Sequence, residues 1–202
     1  MKREEKIIAI DPDTRYQGIA VFQGKTLIIS AVKILHAKGP RKKRLEEVEK
    51  VFFSLIEDYA PNVLAIKKPF PKQPRFLKAI IDEIKRLARK ERIRVHEFSP
   101  LAVRKIICGN AGTAKKEVAE KVSLIYQELK NRLKEDPESD YQELKNRLNQ
   151  DQKSFHSKLK FQLDRDKQKK KNKNQKLREM YWGHMFDAVG LGVCYLKTKQ
   201  KL

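Results

Sequence analysis

The 202-residue sequence predicts an α/β domain, a five-stranded mixed sheet flanked by helices, with a charged helical insertion ahead of the C-terminal helix. Three observations carry this expectation. KIIAIDPDTRYQGIAVFQGKTLIISAVKI, residues 6–34, has the rhythm of three consecutive strands. VLAIKKPF, residues 63–70, opens with four apolar residues, Val63 to Ile66, as in a strand covered on both faces. Runs with helical spacing precede and follow that strand.

The first three strands are expected over Lys6 to Asp11, Gly18 to Gln23 and Thr26 to Lys33, with Gln23-Gly24-Lys25 as a tight hairpin between the last two. Arg41 to Tyr59 places Leu45, Val48, Phe52, Leu55 and Ile56 at helical spacing, and Pro61 ends it. After the strand at 63–67, Ile80, Ile84 and Leu87 mark one face of a helix over Phe76 to Lys90, and IRVHEF at 93–98 reads as a fifth strand. Ser99 and Pro100 suit the N-cap and first turn of a short helix reaching Ile107. Beyond the Gly109, Asn110, Gly112 loop, Thr113 can cap a helix with Val118, Val122, Ile125 and Leu129 on its buried stripe. The last helix, Gly183 to Lys197, is apolar nearly all round, as in a helix packed on the sheet, with Trp182 marking the return to the core.

Between them lies an insertion at 126–182. YQELKNRL occurs at 126–133 and again at 141–148, and Asp136-Pro137 between the copies suggests a helical hairpin produced by tandem duplication. From Asn149 to Trp182 there are 11 Lys and Arg against 4 Asp and Glu, and KQKKKNKNQK at 167–176 has no apolar face to bury. That stretch is expected to be disordered, or a solvated helix, until something anionic binds it. The chain is therefore read as a single domain over 1–202 with 126–182 as a charged arm.

Lys and Arg number 47 against 26 Asp and Glu, a formal charge of +21. Such an excess suits nucleic acid, because each phosphate neutralised by a basic side chain releases condensed counterions. Cys108 and Cys194 are too isolated for a zinc site or a disulfide framework, so free buried thiols in a reducing compartment are expected. No apolar stretch approaches the ~18 residues of a membrane span, and Asp11 interrupts the N-terminal apolar run, so a cytoplasmic protein is expected.

Asp11 ends the first strand, and His184 and Asp187, three residues apart, share one face at the start of the last helix. Alone, each has an ordinary structural reading as a turn, cap or core residue. At opposite ends of a chain with this order of elements, they become specific. IIAIDPDTRYQGIAVF, VLAIKKPF, FSPLAVRKIICGNAGTAKKEVAEKV and GHMFDAVGLGVCYL resemble the first two strands, the fourth strand, the following basic segment and the terminal helix of RuvC-type Holliday junction resolvases, members of the RNase H-like superfamily. The resemblance covers residues 1–125 and 180–197 and leaves the repeat and the lysine-rich arm outside it.

The resemblance implies an RNase H-like, RuvC-like fold and a homodimeric endonuclease. That enzyme makes paired cuts in four-way DNA junctions with Mg²⁺, and Mn²⁺ is able to substitute. It implies that Asp11, His184 and Asp187 hold two metal ions together with a glutamate at the end of the fourth strand, the ions activating water and stabilising the leaving oxygen. It also implies a DNA contact by Phe70. Thr113, Lys115 and Lys116 bring a hydroxyl, lysines and free helix N-terminal amides together as a phosphate contact, and Lys68, Lys72, Arg75, Arg104 and Lys105 are the other expected DNA contacts. Phe70 equally suits a residue that covers the core, and Thr113 to Lys116 equally suits simple helix capping.

Lys67 occupies the position where the resemblance calls for glutamate. Exchanging a negative for a positive charge beside a divalent ion is worth several kcal/mol even at an effective dielectric of ~20, so metal binding is expected to suffer by orders of magnitude. Lys67 is then either a native residue of a chain that binds junctions without cutting, an inactivating change, or an ammonium standing in for one metal. Lys68 and Asp13 are candidates for part of a rearranged site. A non-cleaving module for branched DNA or structured RNA is the competing class, expected to bind with a steep salt dependence and no cleavage products. A sugar-kinase or actin-like ATPase shares the strand, aspartate and hairpin, but needs a second domain for which 202 residues leave no room.

Overall fold

The computed structural model describes residues 4–35, 40–130 and 170–199, with only the backbone of 170–179. The order is β1 (Lys6–Pro12), β2 (Tyr16–Gln23), β3 (Thr26–Ile34), α1 (Arg41–Tyr59), β4 (Val63–Lys67), α2 (Arg75–Lys90), β5 (Arg94–Phe98), α3 (Pro100–Cys108), α4 (Lys115–Ile125), a 3-10 turn (Gln127–Leu129) and α5 (Lys170–Lys199). The strands form one mixed sheet in the order β3-β2-β1-β4-β5. β1 is its centre, antiparallel to β2 and parallel to β4, and β5 runs parallel to β4. The expected five-stranded sheet flanked by helices is thus the observed architecture.

Why IIAI reads as an unbroken apolar run is now visible. Successive strand residues point to opposite faces, and both faces of β1 are covered. Ile7 and Ala9 join a core with Trp182, Met185, Phe186 and Val189 of α5 and with residues of α3 and α4. Ile8 and Ile10 join another with Phe52 of α1 and Ile80 and Ile84 of α2. The Gly24-Lys25 turn between β2 and β3 uses the left-handed backbone of Gly24, φ +57°, which a residue without Cβ adopts freely. Ser99 caps α3 through its side-chain oxygen, which accepts from the Ala102 amide at 3.1 Å, with Pro100 in the first turn.

Several expectations shift. α5 begins at Lys170 rather than Gly183. No Gly or Pro falls between 170 and 182, and the Lys, Gln, Arg and Glu there propagate a helix once its C-terminal half is packed. Thr113 does not cap α4. It is buried, its hydroxyl donates to the Asn110 carbonyl at 2.7 Å, and the Ala114 amide donates to Glu117 Oε1 at 3.3 Å instead. Ile125 is 47% exposed because α4 ends there in an extended Tyr126, whereas Leu129 is turned back into the core by the 3-10 turn. The first repeat copy therefore opens with a 3-10 turn, and the rest of the expected hairpin, with most of the lysine-rich stretch, lies outside the described residues. Cys194 is buried as expected but Cys108 is half-buried, and both are free thiols. No described helix is long and apolar enough to cross a membrane.

Candidate active site

The site begins with strand register. β1 and β4 run parallel with Ile10 opposite Ile66, so Asp11 and Lys67 leave the sheet side by side at the carboxyl ends of their strands. In open α/β sheets that edge is where ligand-binding groups collect. Lys67 Nζ lies 2.8 Å from Asp11 Oδ1.

The last helix supplies the rest, and Gly18 lets it in. Gly18 pairs with Asp11 across the β1-β2 ladder. A Cβ on Gly18 would stand 1.9 Å from the His184 carbonyl oxygen, so the backbone of α5 packs directly on β2 there. That approach brings His184 Nδ1 to donate to Asp11 Oδ2 at 2.6 Å. An ionised carboxylate only accepts, so the bond places a proton on Nδ1 and turns Nε2 outward, where it lies 3.9 Å from Asp13 Oδ2. The Tyr16 ring stacks on the imidazole at 5.7 Å between centroids, and Tyr181 meets Tyr16 edge-on at 6.0 Å. One turn on from His184, Asp187 accepts from Lys115 Nζ at 2.8 Å, joining the start of α4 to α5. Asp11, Lys67, Lys115 and Asp187 line one cleft with Arg104 and the apolar side chains of Phe98, Val103, Val118 and Leu191.

Burial and charge act against each other in this cleft. Asp11 is fully buried, which pushes its carboxyl up, but the His184 hydrogen bond and the charges of Lys67 and His184 outweigh burial and hold it below the usual carboxylate range. Asp187 goes the other way, raised by burial and then by the neighbouring Asp11 charge, against the pull of Lys115 and Lys67. Burial would lower the Lys67 ammonium, yet Asp11, with Asp187 and Asp13 behind it, raises it above its ordinary value. Lys67 is therefore a fixed positive charge. Asp11 Oδ1 faces it as the other half of an ion pair.

The expected pair of divalent cations does not fit this donor set. Asp11 has one oxygen on His184 and the other against an ammonium, Asp187 has an oxygen on Lys115, and His184 has spent one ring nitrogen on Asp11. Among the described residues no three His, Cys, Asp or Glu side chains are grouped to hold a metal ion. A Mg²⁺ ligated by Asp11 Oδ1 would sit ~2.1 Å from that oxygen. It would then be within about 5 Å of the Lys67 ammonium, a repulsion on the order of 7 kcal/mol at an effective dielectric of ~20.

Of the expected DNA contacts, Arg104 and Lys115 line the cleft. Phe70, Lys68, Lys72, Arg75, Lys105 and Lys116 are exposed, Phe70 at 47%, on the segment after β4 and on α2, α3 and α4. Thr113 is buried, with its hydroxyl donating to the Asn110 carbonyl. Sequence reading passed over Tyr16 and Gly18. The signal for Gly18 was available, since a glycine opposite a strand-end aspartate marks a close backbone approach; none pointed to the Tyr16 stack.

Comparison with known proteins gives a family and a shared fold. The family model described as Crossover junction endodeoxyribonuclease RuvC matches residues 7–141. A crossover junction endodeoxyribonuclease RuvC from Pelodictyon phaeoclathratiforme is 23% identical over 121 residues, 56% of this chain and 63% of that protein. One from Bacteroides fragilis is 27% identical over 147 residues, 66% of this chain and 73% of that protein. The chain thus spans somewhat under two thirds of the length of the first relative. Among solved structures, Thermus thermophilus RuvC superposes with a TM-score of 0.61 at 15% identity, covering 97% of this chain and 96% of that one. The T. thermophilus RuvC in complex with Holliday junction substrate superposes with a TM-score of 0.52 at 19% identity, covering 60% and 78%. At these identities the solved structures establish the shared fold.

Proposed function

The chain belongs to the RuvC family of crossover junction endodeoxyribonucleases, and on that premise we propose that it acts on four-way DNA junctions as a structure-selective endonuclease hydrolysing phosphodiesters. The observation that carries the reading is the meeting of Asp11, from the first strand, with His184 and Lys67 at one sheet edge, 2.6 and 2.8 Å away, beside a cleft that Asp187 shares. The excess of Lys and Arg supports a polyanionic partner. Lys67, Lys115 and Arg104 would face a phosphate entering the cleft, and Phe70, Lys68, Lys72, Arg75, Lys105 and Lys116 would meet the arms around it. A homodimer presenting two such clefts to a junction is part of the same proposal.

A second reading, binding without cleavage, is favoured by one observation: Lys67 pairs with Asp11 where the resemblance calls for a glutamate. The experiment that separates the two uses a labelled four-way junction with Mg²⁺ or Mn²⁺, run beside a linear duplex of the same composition, for the native chain and for Lys67→Glu. Junction cleavage by the native chain supports an active endonuclease. Cleavage by Lys67→Glu alone supports a junction binder silenced at one residue. Equal affinity for junction and duplex, with no cleavage by either protein, overturns both.

A further inference from the structure

Charge neutrality at the cleft does not need a metal ion. The carboxylates of Asp11 and Asp187 each face an ammonium, Lys67 at 2.8 Å and Lys115 at 2.8 Å, and the Arg104 guanidinium lines the same cleft. The described cleft charges therefore sum to about plus one, from two lysines and one arginine against two carboxylates. In a site built on carboxylates alone, a phosphodiester anion would meet like charge unless cations intervened. Here the intervening charge is covalently attached. Lys67 is also confined: its side chain is only 19% exposed, it leaves the end of a buried strand, and its partner Asp11 is locked from the other side by His184. An ammonium supplies point-charge donors to phosphate oxygens, a role lysine fills well.

From this geometry, and resting on the junction-directed reading above, we propose that Lys67 and Lys115 replace resident divalent cations. The cleft takes a phosphodiester of branched DNA directly on two ammonium groups and holds no divalent ion of its own. Junction binding is then independent of divalent metal, and the change from glutamate to lysine is a change of phosphate receptor as well as the loss of a metal ligand.

The test measures metal and DNA separately on the full chain. Mn²⁺ titration followed by electron paramagnetic resonance is expected to show no site in the native chain that Asp11→Asn removes, and to show an Asp11-dependent site in Lys67→Glu. Junction affinity is expected to be unchanged when Mg²⁺ is exchanged for a chelator at matched ionic strength. It should fall about tenfold in Lys67→Met and in Lys115→Met, as loss of one charge-assisted hydrogen bond predicts, and return in Lys67→Arg. The arginine variant also serves as the folding control. An Asp11-dependent Mn²⁺ site in the native chain, or a tenfold loss of junction affinity on chelation, overturns the proposal while leaving junction recognition standing. Binding no tighter to the junction than to linear duplex, in either buffer, removes the junction-directed reading and the proposed ligand with it.

Discussion

The His184 carbonyl lies over Gly18 so closely that a Cβ at position 18 would stand 1.9 Å from its oxygen. Because the obstacle is backbone, a side chain there cannot be accommodated by a rotamer change. Gly18→Ala should push the N-terminal part of the packed helix off β2 and cost about 2–3 kcal/mol, the upper range for overpacking. Urea unfolding measures this. A loss below ~0.5 kcal/mol would mean that α5 is not seated on β2 as described.

Lys67 and Asp11 form a pair whose buried member is the carboxylate. Lys67→Met should destabilise by about 3 kcal/mol, the lower end for breaking a buried pair, because the ammonium is partly exposed and His184 remains. In the double variant with Asp11→Asn most of that loss should vanish, giving a coupling energy of ~1–3 kcal/mol in a double-mutant cycle. Additive single losses would show that the two groups do not compensate one another.

At the opposite end of the sheet, Glu5 accepts from Arg94 Nη2 at 2.5 Å and Tyr195 OH at 3.0 Å, with Lys199 Nζ 2.6 Å away. Burial raises its carboxyl, but the bonds from Lys199, Arg94 and Tyr195 outweigh that and bring it from 4.5 to about 2. A folded-state value below the unfolded one stabilises the fold above the unfolded value and ceases to do so as pH falls through the folded one. The stability difference between the native chain and Glu5→Gln should therefore be full at pH ~7, decline below about pH 4.5 and be gone near pH 2. A difference that does not change with pH would contradict the shift.

Phe70 is 47% exposed, and its amide donates to Gln73 Oε1 at 3.2 Å, so the turn that presents the ring does not depend on the ring. Phe70→Ala should leave stability within ~0.5 kcal/mol of the native chain. It should weaken junction binding by about 1–3 kcal/mol if the ring stacks on a base. Neutralising Lys68, Lys72, Arg75 or Lys116 should instead lower the slope of log affinity against log salt by roughly one unit for each phosphate that is no longer neutralised. An unchanged slope removes that residue from the interface.

How far this could be read in advance depended on the range of the interaction. The span of α1, Arg41–Tyr59, coincides with the helix expected from its apolar spacing, and β4 with the apolar run that announced it. Ser99 and Pro100 start α3 as their local chemistry requires. Where two local signals competed, one gave way. Thr113 has the chemistry of a cap, but its hydroxyl finds the Asn110 carbonyl and the loop buries it.

The amino-acid sequence by itself determined the order of strands and helices, the covered strand announced by VLAI, and the residues Asp11, Lys67, His184 and Asp187 as the ones to watch. Periodicity, turn chemistry and charge are written within a few neighbouring residues. The tertiary structure decided which charges face which. Asp11 and His184 are 173 residues apart in the chain, and Lys115 and Asp187 are 72 apart. The first pairing follows from the close approach of the last helix at Gly18 and the second from the packing of α4 on α5, while the parallel register of β1 and β4 sets Lys67 beside Asp11. Whether Lys67 abuts Asp11 or turns to solvent is settled by that register and by burial, which makes a lone carboxylate costly and a facing ammonium stabilising.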